Sequence, residues 1–592
     1  MVPTALAARP TPTESDTFAR RPAWARRITL VAGVLVCALF AVLAFEHRWI
    51  SDDGMIVVRE VRQILAGAGP NYNPFQRDEV DTSPLWSWLL AVFAFIRGGD
   101  IAVDAVMLGL VLAVAGLALA IWGSTKLHRQ RSSTGGLLPV GALVPVAIGG
   151  FWDFATSGLE TGLSIFWLGL VWWLMVSVTA ETSRTRLITV AVVVGIGPLV
   201  RPDFALATGI FGIGMLLIVR PGWRRSLAYV GIAAVLPLGY QIFRMGYYGL
   251  TVPMPALAKE AGGSLWLRGL TYLDDFVDTY LFWIPLLLIA VVGTLVFNRT
   301  ASDRRSTVLV AAPLLSAVAL GLYVVEVGGD YMHARMWIPV VFVLLLPVMM
   351  LPVGKGHRAE SVGAALVGVW ALIAGLYLHP TYHGHDWGPA RIVDERSFET
   401  VTYAGVPDLT TTDSRTRNNE LPATLARLTG HRTLVMSDGP EAHGALWTLP
   451  MSPSVPDNSA FFYDNMGITA VVVPLDDTVV DLHGLATPLA GHMVLQQRSR
   501  AGHEKSLPAA WVVAEYADPT SINTMRDTPD VTKAQVFAAR HALSCGAIKE
   551  MMDSVNEPMS VSRFMHNLVG SVSRTDVRIP EDPFDAERQF CR

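Results

Sequence analysis

Charge is what this chain has least of. Asp, Glu, Lys and Arg make up 16% of its 592 residues, where soluble domains carry about a quarter. With 52% hydrophobic residues, the balance excludes an ordinary soluble protein and implies a polytopic membrane protein. The net charge of -4, with no basic tract, gives nucleic acid nothing to bind. No internal repeat is found, and no low-complexity run beyond the first 27 residues. No small-residue cleavage site follows Phe45, so 28–45 reads as a retained signal-anchor helix. Cysteine is scarce: Cys37 sits in that first apolar run, and Cys545 and Cys591 lie in the polar tail.

What is there is a succession of apolar runs. They fall near 28–45, 101–122, 138–151, 159–178, 187–200, 203–219, 226–243, 281–297, 307–325, 336–352 and 361–378. A further stretch, Pro84 to Ile96, reads as either a separate span or a re-entrant helix. Basic residues decide, because cytoplasmic loops collect Lys and Arg. The clusters are Arg20/Arg21/Arg26/Arg27, Lys126/Arg129/Arg131, Arg184/Arg186, Arg220/Arg224/Arg225, Arg299/Arg304/Arg305 and Lys355/Arg358. They share one side only if residues 84–122 cross once, which gives about eleven crossings. The expected fold is thus a polytopic α-helical membrane protein of the plasma (inner) membrane. Residues 1–27 form a disordered cytoplasmic tail, 28–378 the transmembrane domain with a long first periplasmic loop at 46–100, and 379–592 a periplasmic domain.

That last domain has ordinary soluble composition. Thr433–Met436, Thr469–Val473 and Trp511–Ala514 read as buried strands, and Ala534 to Met552 as a helical stretch. The expectation is a mixed α/β domain, with a carbohydrate-binding sandwich as the alternative. Cys545 and Cys591 are the only cysteines on that face, so a disulfide there has one connectivity. Seventeen Trp suit interfacial belts, with Trp86, Trp88, Trp152, Trp266 and Trp283 as candidates.

Chemistry-bearing residues gather on the outer face. Ser51-Asp52-Asp53-Gly54 follows the first apolar run directly. Charge beside hydrocarbon is costly without a partner or a task. One Asp would suffice to favour the N-terminus of the helix expected at 55–66; two ask for more. That helix has an apolar stripe at 56, 57, 61, 64 and 65, suited to lying along the membrane, and Ser51 or Asp52 could cap it. Cations on the same side are Arg201, Lys259 and Arg335, and acids are Glu160, Asp203 and Asp330. The bland readings are helix caps for Glu160 and Asp203, a turn pair for Asp330 and Arg335, and a solvated loop lysine for Lys259. His379, His383 and His385 look metal-like in spacing but read as interfacial, and no metal ligand is assigned.

The order of these pieces resembles the GT-C glycosyltransferases, membrane enzymes that use polyprenyl-phosphate sugars. It runs from the acidic pair through Thr82-Ser83-Pro84-Leu85-Trp86, Thr156-Ser157-Gly158-Leu159-Glu160-Thr161 and Arg201-Pro202-Asp203. Tyr248-Gly249-Leu250 with Pro255 and Lys259, Gly328-Gly329-Asp330-Tyr331-Met332, Val480 to Leu485 and Gly502-His503-Glu504-Lys505 continue it. Within that superfamily the chain resembles the mycobacterial-type terminal β-(1→2)-arabinofuranosyltransferases.

The resemblance implies a decaprenyl-phosphoryl-arabinofuranose donor, with a cell-wall arabinan acceptor in arabinogalactan and lipoarabinomannan. It implies a sugar-transfer centre at Asp52 and Asp53. Arg201, Lys259 and Arg335, with Glu160, Asp203 and Asp330, are then expected to bind donor phosphate and substrate, since cations stabilise a phosphate leaving group. No nucleotide is needed, and a divalent cation is neither required nor excluded. Mannose or aminoarabinose remains the alternative sugar. A transporter or flippase is the alternative class, but it would place polar residues along the bundle and show repeats. A β donor giving a β product implies net retention, which calls for a carboxylate nucleophile. On an extended chain two adjacent Asp would point apart, so one is expected at the reacting centre and the other to orient it or bind a cation.

Overall fold

The structure, a computed structural model, describes residues 23–130, 136–298, 303–354, 357–402, 410, 432–437, 446–463, 466–525 and 531–591. Most of the N-terminal tail, with Arg20 and Arg21, lies outside the described residues, as do Arg131, Arg299 and Lys355.

Helices dominate up to residue 377, and among the described residues five are long and apolar enough to cross a membrane: Ala23–Glu46, Ile101–Gln130, Trp223–Tyr247, Arg304–Glu326 and Arg358–Tyr377. Trp266–Thr279 and Trp283–Asn298, bent by 80°, make a sixth if they count as one span. Pro84–Arg97, Thr161–Ser177, Phe204–Val219 and Trp337–Val348 are shorter apolar helices. The run at 138–151 is not one helix. It is the strand Gly136–Leu138 followed by the short helices Leu143–Ala147 and Gly149–Phe154. It still runs the length of the first helix: Leu137 N donates to Thr29 Oγ1 (3.1 Å) near one end, and Asp153 meets His47 (3.2 Å) at the other.

Close approach between helices comes from glycine. Ile101–Gln130 lies against Thr161–Ser177, where a Cβ at Gly162 would stand 2.3 Å from Gly109 O, and one at Gly169 2.3 Å from Gly116 O. Small residues let backbones meet in this way where lipid supplies no hydrophobic drive. The contact holds Glu160, just before the second helix, at a fixed level. Helix ends therefore sort into two levels. At one, Arg305 donates to Gln130 Oε1 (2.9 Å), Val176 O (2.6 Å) and Val178 O (3.0 Å). At the other stand Asp53, Glu160, Arg201, Asp330 and Arg335.

The C-terminal part is mixed α/β. Its four-stranded sheet has the order Leu446–Pro450, Thr433–Ser437, Ala460–Tyr463, Thr478–Asp481, antiparallel at the first pair and parallel at the others. Two expected strands are helices instead: Thr469–Val473 lies mostly in Met466–Val472 and Trp511–Ala514 in Ala509–Tyr516. A four- or five-residue apolar run buried on all sides carries no period to separate the two. Pro508, at the N-cap of the latter, is the overlooked helix-start signal. The stretch 534–552 also breaks, into Lys533–Leu543 and Gly546–Asn556, at Gly546 with φ +44. Beside that break Cys545 is disulfide-bonded to Cys591, Cα–Cα 5.1 Å.

The first-loop helix, Asp52–Ala66, is not an exposed surface helix. It is buried between the bundle and the C-terminal part. Arg59, 1% exposed, explains why. It donates to the carbonyls of Tyr72, Ala470, Val473, Pro474 and Asp477 at 2.8–3.1 Å. One guanidinium thus caps the end of helix Met466–Val472 and staples the two parts. Trp86 and Trp152 are not belt residues either; both are buried, their indole N–H groups bonded to Gly158 O and Val146 O. Trp88, Trp266 and Trp283 are exposed as expected.

Candidate active site

The Ser51–Gly54 motif divides its labour. Ser51 is the N-cap, in extended conformation, and its side chain accepts from Gly54 N at 3.0 Å. Its own N and Oγ donate to Ser157 O at 2.9 and 3.0 Å. Gly54 must be glycine, because a Cβ would lie 2.6 Å from that same carbonyl. With Ser51 as cap, both aspartates fall in the first helical turn. Successive residues there diverge by about 100°, not by the half-turn of an extended chain. Asp52 turns to the C-terminal part and accepts from Gly467 N at 3.1 Å. Asp53 turns to Arg335.

Around Asp53 the structure assembles an ionic cluster. Arg335 stands 3.7 Å from Asp53, 3.2 Å from Asp330 and 3.6 Å from Glu160. Arg201 bonds Glu160 at 2.7 Å and Asp203 at 3.0 Å. Glu160 and Asp203 precede their helices but make no side-chain cap bond, so charge pairing and not capping is their role. Lys259 has no carboxylate within 4 Å among the described residues, yet its charge acts on both Asp53 and Asp330. Every expected donor-binding residue therefore belongs to one neighbourhood.

The carboxylates differ in access and in charge. The Asp53 side chain is 26% exposed, against 4% for Glu160, 6% for Asp203 and 5% for Asp330. Burial pushes the Asp53 carboxyl above its usual range, and the pull of Arg335 and Lys259 only partly offsets this. Burial would also raise Glu160, but Arg335 and Arg201 outweigh it and hold that group low. Asp330 behaves alike: its burial is outweighed by Arg335 and Lys259. Glu160 and Asp330 are thus fixed anions that hold the guanidiniums, and Asp53 is the carboxylate turned to an opening.

Comparison with known proteins now bears on this cluster. Residues 451–588 match the family described as the AftB family C-terminal domain. The chain is 36% identical over 618 residues to the terminal beta-(1->2)-arabinofuranosyltransferase of Mycobacterium tuberculosis, covering 93% of this chain and 95% of that protein. It is 33% identical over 624 residues to the protein of the same name from Corynebacterium glutamicum, covering 95% and 88%. The chain belongs to the terminal β-(1→2)-arabinofuranosyltransferase family. It is a membrane glycosyltransferase, and the Asp53 cluster is the candidate centre of an arabinofuranosyltransferase.

Two residues beside this transferase's cluster, Glu395 and Arg500, escaped the sequence reading, and a third, Tyr331, was given no role there. Glu395, 4% exposed, receives a hydrogen bond from Tyr331 Oη at 3.5 Å. Arg500 lies 3.9 Å from its other oxygen and stacks 4.0 Å over the Tyr331 ring. Burial pushes Glu395 up to about 8, against the pull of Arg500; the nearby Asp53 and Asp52 charges add to the rise. Tyr331 was within sight, in the Gly-Gly-Asp-Tyr segment. Glu395 and Arg500 had no motif and are brought in by packing of the tail. Of the segment Gly502–Lys505 only the start lies in a turn, closed by His503 N to Arg500 O at 3.0 Å, with Gly502 against the Lys259 side chain; Glu504 pairs with Arg268 and Lys505 with Glu260.

Proposed function

We propose that this chain transfers an arabinofuranosyl residue from decaprenyl-phosphoryl-arabinofuranose to the non-reducing ends of cell-wall arabinan, in arabinogalactan and lipoarabinomannan, forming terminal β-(1→2) linkages. The enzyme crosses the plasma membrane about eleven times, with a cytoplasmic N-terminus. Its ionic cluster and C-terminal domain face the periplasm, and that domain receives the polysaccharide acceptor.

The observation that carries the mechanism is the open face of Asp53 in a cluster of otherwise closed carboxylates. Asp53 attacks the anomeric carbon. An Asp53 Oδ–C1 bond forms as the C1–O bond to phosphate breaks, and the electron pair leaves with the phosphate. The acceptor hydroxyl then attacks C1 and releases Asp53 as a carboxylate, its proton passing to the departed lipid phosphate, a dianion basic enough to take it, so two inversions give the retained β configuration. Lys259, with no ion pair among the described residues, binds the departing phosphate, and Arg335 shifts from Asp53 toward it. Arg201 holds Glu160 and Asp203 in place. Asp52 orients the turn through Gly467.

The test is to incubate the purified protein with decaprenyl-phosphoryl-arabinofuranose and a synthetic arabinan oligosaccharide, then map the new linkage. A terminal β-(1→2) product is expected. Product with a mannosyl donor and none with the arabinosyl donor would overturn the sugar assignment.

A further inference from the structure

Helix Val561–Thr575 of the C-terminal part is built inside out. Its buried residues are the polar Asn567, Ser571 and Arg574. Its most exposed hydrophobic residues are Val561 (84%), Val569 (81%), Val572 (59%) and Met565 (51%), with exposed Ser562, His566 and Ser573 alongside. Those four recur at spacings of four and three, so they form one stripe. Protein satisfies the polar side. Asn567 Nδ2 donates to Ser554 O (2.9 Å), and Arg574 donates to Glu550 (2.8 Å) and Gly249 O (3.1 Å). A helix on a water-soluble domain turns its apolar stripe inward. Here the inward side is committed to polar bonds and the stripe faces out, the arrangement that suits hydrocarbon.

The neighbour identifies what covers the stripe. The helix packs on Trp223–Tyr247, a membrane span with a largely exposed apolar surface that includes Val235, Leu238 and Ile242. The joint is Phe564 against Gly246, where a Cβ would lie 2.2 Å from the ring. Beside it the end of the span carries the partly exposed Tyr240, Phe243 and Tyr247, with ring centroids 5.7 and 5.0 Å apart. Such aromatic clusters mark the membrane–water boundary. The stripe is thus continuous with a lipid-facing surface, at the depth of its aromatic end.

We propose that helix Val561–Thr575 is an interfacial anchor that seats the edge of the C-terminal domain in the bilayer leaflet on its own side. Its occupant is lipid, with the stripe sunk into the boundary between headgroups and acyl chains. The proposal rests on the membrane reading of Trp223–Tyr247 and not on the sugar-transfer reading.

The test uses the full chain in vesicles of phosphatidylcholine and phosphatidylglycerol, with Cys37→Ser and the disulfide left oxidised. Spin labels are placed at Val569→Cys and, as an aqueous reference, at exposed Thr520→Cys. The label at 569 is expected to collide more often with oxygen than with a water-soluble nickel chelate, and the label at 520 the reverse. A 569 label that behaves like the 520 label overturns the proposal. So does one shielded from both reagents, which would mean that a second copy covers the stripe. Met565→Cys, on the same stripe, repeats the measurement should Val569→Cys not fold.

Discussion

Arg335 Nη1 stands 3.7 Å from Asp53 Oδ2 and 3.2 Å from Asp330 Oδ2. One guanidinium therefore ties the accessible carboxylate of the site to a buried one, and its other terminal nitrogen reaches Glu160 at 3.6 Å.

Arg335→Met leaves three carboxylates facing one another without their shared cation. Breaking such a buried pairing costs about 3–5 kcal/mol, and loss of a cation at a developing phosphate charge lowers the rate by about 10²–10³. Thermal unfolding and transfer rate measure the two effects. Arg335→Lys keeps the charge and loses the fork, so its rate should fall between those of the wild type and Arg335→Met.

Gly467→Ala tests the contact between the aspartate turn and the C-terminal part. The added methyl would lie 2.0 Å from Asp52 O, so one element must move. Transfer should fall by at least about tenfold, the effect of displacing a reacting group by a fraction of an ångström to 1 Å. Gly209→Ala, with nothing within 4 Å of the new Cβ, should be silent in the same assay.

Glu395 makes stability depend on pH. Its carboxyl rises from an ordinary 4.5 to about 8 on folding, so between those values the folded state holds a proton that the unfolded state has released. Stability from this group is fully present below about 4.5 and is lost as pH rises through about 8. Glu395→Gln should flatten that part of the pH–stability curve, measured by thermal unfolding between pH 5 and 9. An unchanged slope would show that Glu395 is ionised throughout.

Lys259 should affect both donor binding and Asp53. Its positive charge pulls the Asp53 carboxyl down, so Lys259→Met lets it rise further. The proposed mechanism needs ionised Asp53, and the acid limb of the rate profile should therefore move to higher pH. KM for the lipid donor should rise in the same variant. A raised KM with an unmoved acid limb would separate Lys259 from Asp53.

Much of this site was legible before folding. Asp52, Asp53, Glu160, Arg201, Asp203, Asp330 and Arg335 stand at or near the ends of apolar runs, with Lys259 in the loop between two of them, and run ends at one level of a bundle converge in space. The division of labour between Asp52 and Asp53 was not legible, because it depends on Ser51 taking the cap and turning the pair helical. Glu395 and Arg500 carried no local signal; their place is set by how the tail packs on the bundle. The strands misread at Thr469–Val473 and Trp511–Ala514 are short apolar runs buried on all sides, where hydrophobicity reports burial and not backbone shape. Arg59 looked like one charge on an amphipathic surface helix, and only its five carbonyl partners show it to be a staple.

The most direct measurement compares Asp53→Asn with Asp52→Asn in purified protein, using the arabinosyl lipid donor and an arabinan oligosaccharide. The expected result is that Asp53→Asn loses transfer by about 10⁴–10⁶-fold, the range seen when a nucleophile or its partner is removed. Asp52→Asn should keep a measurable rate, because it orients the turn and does not touch the reacting carbon. Wild-type transfer by Asp53→Asn would contradict the assignment of Asp53 as the reacting carboxylate.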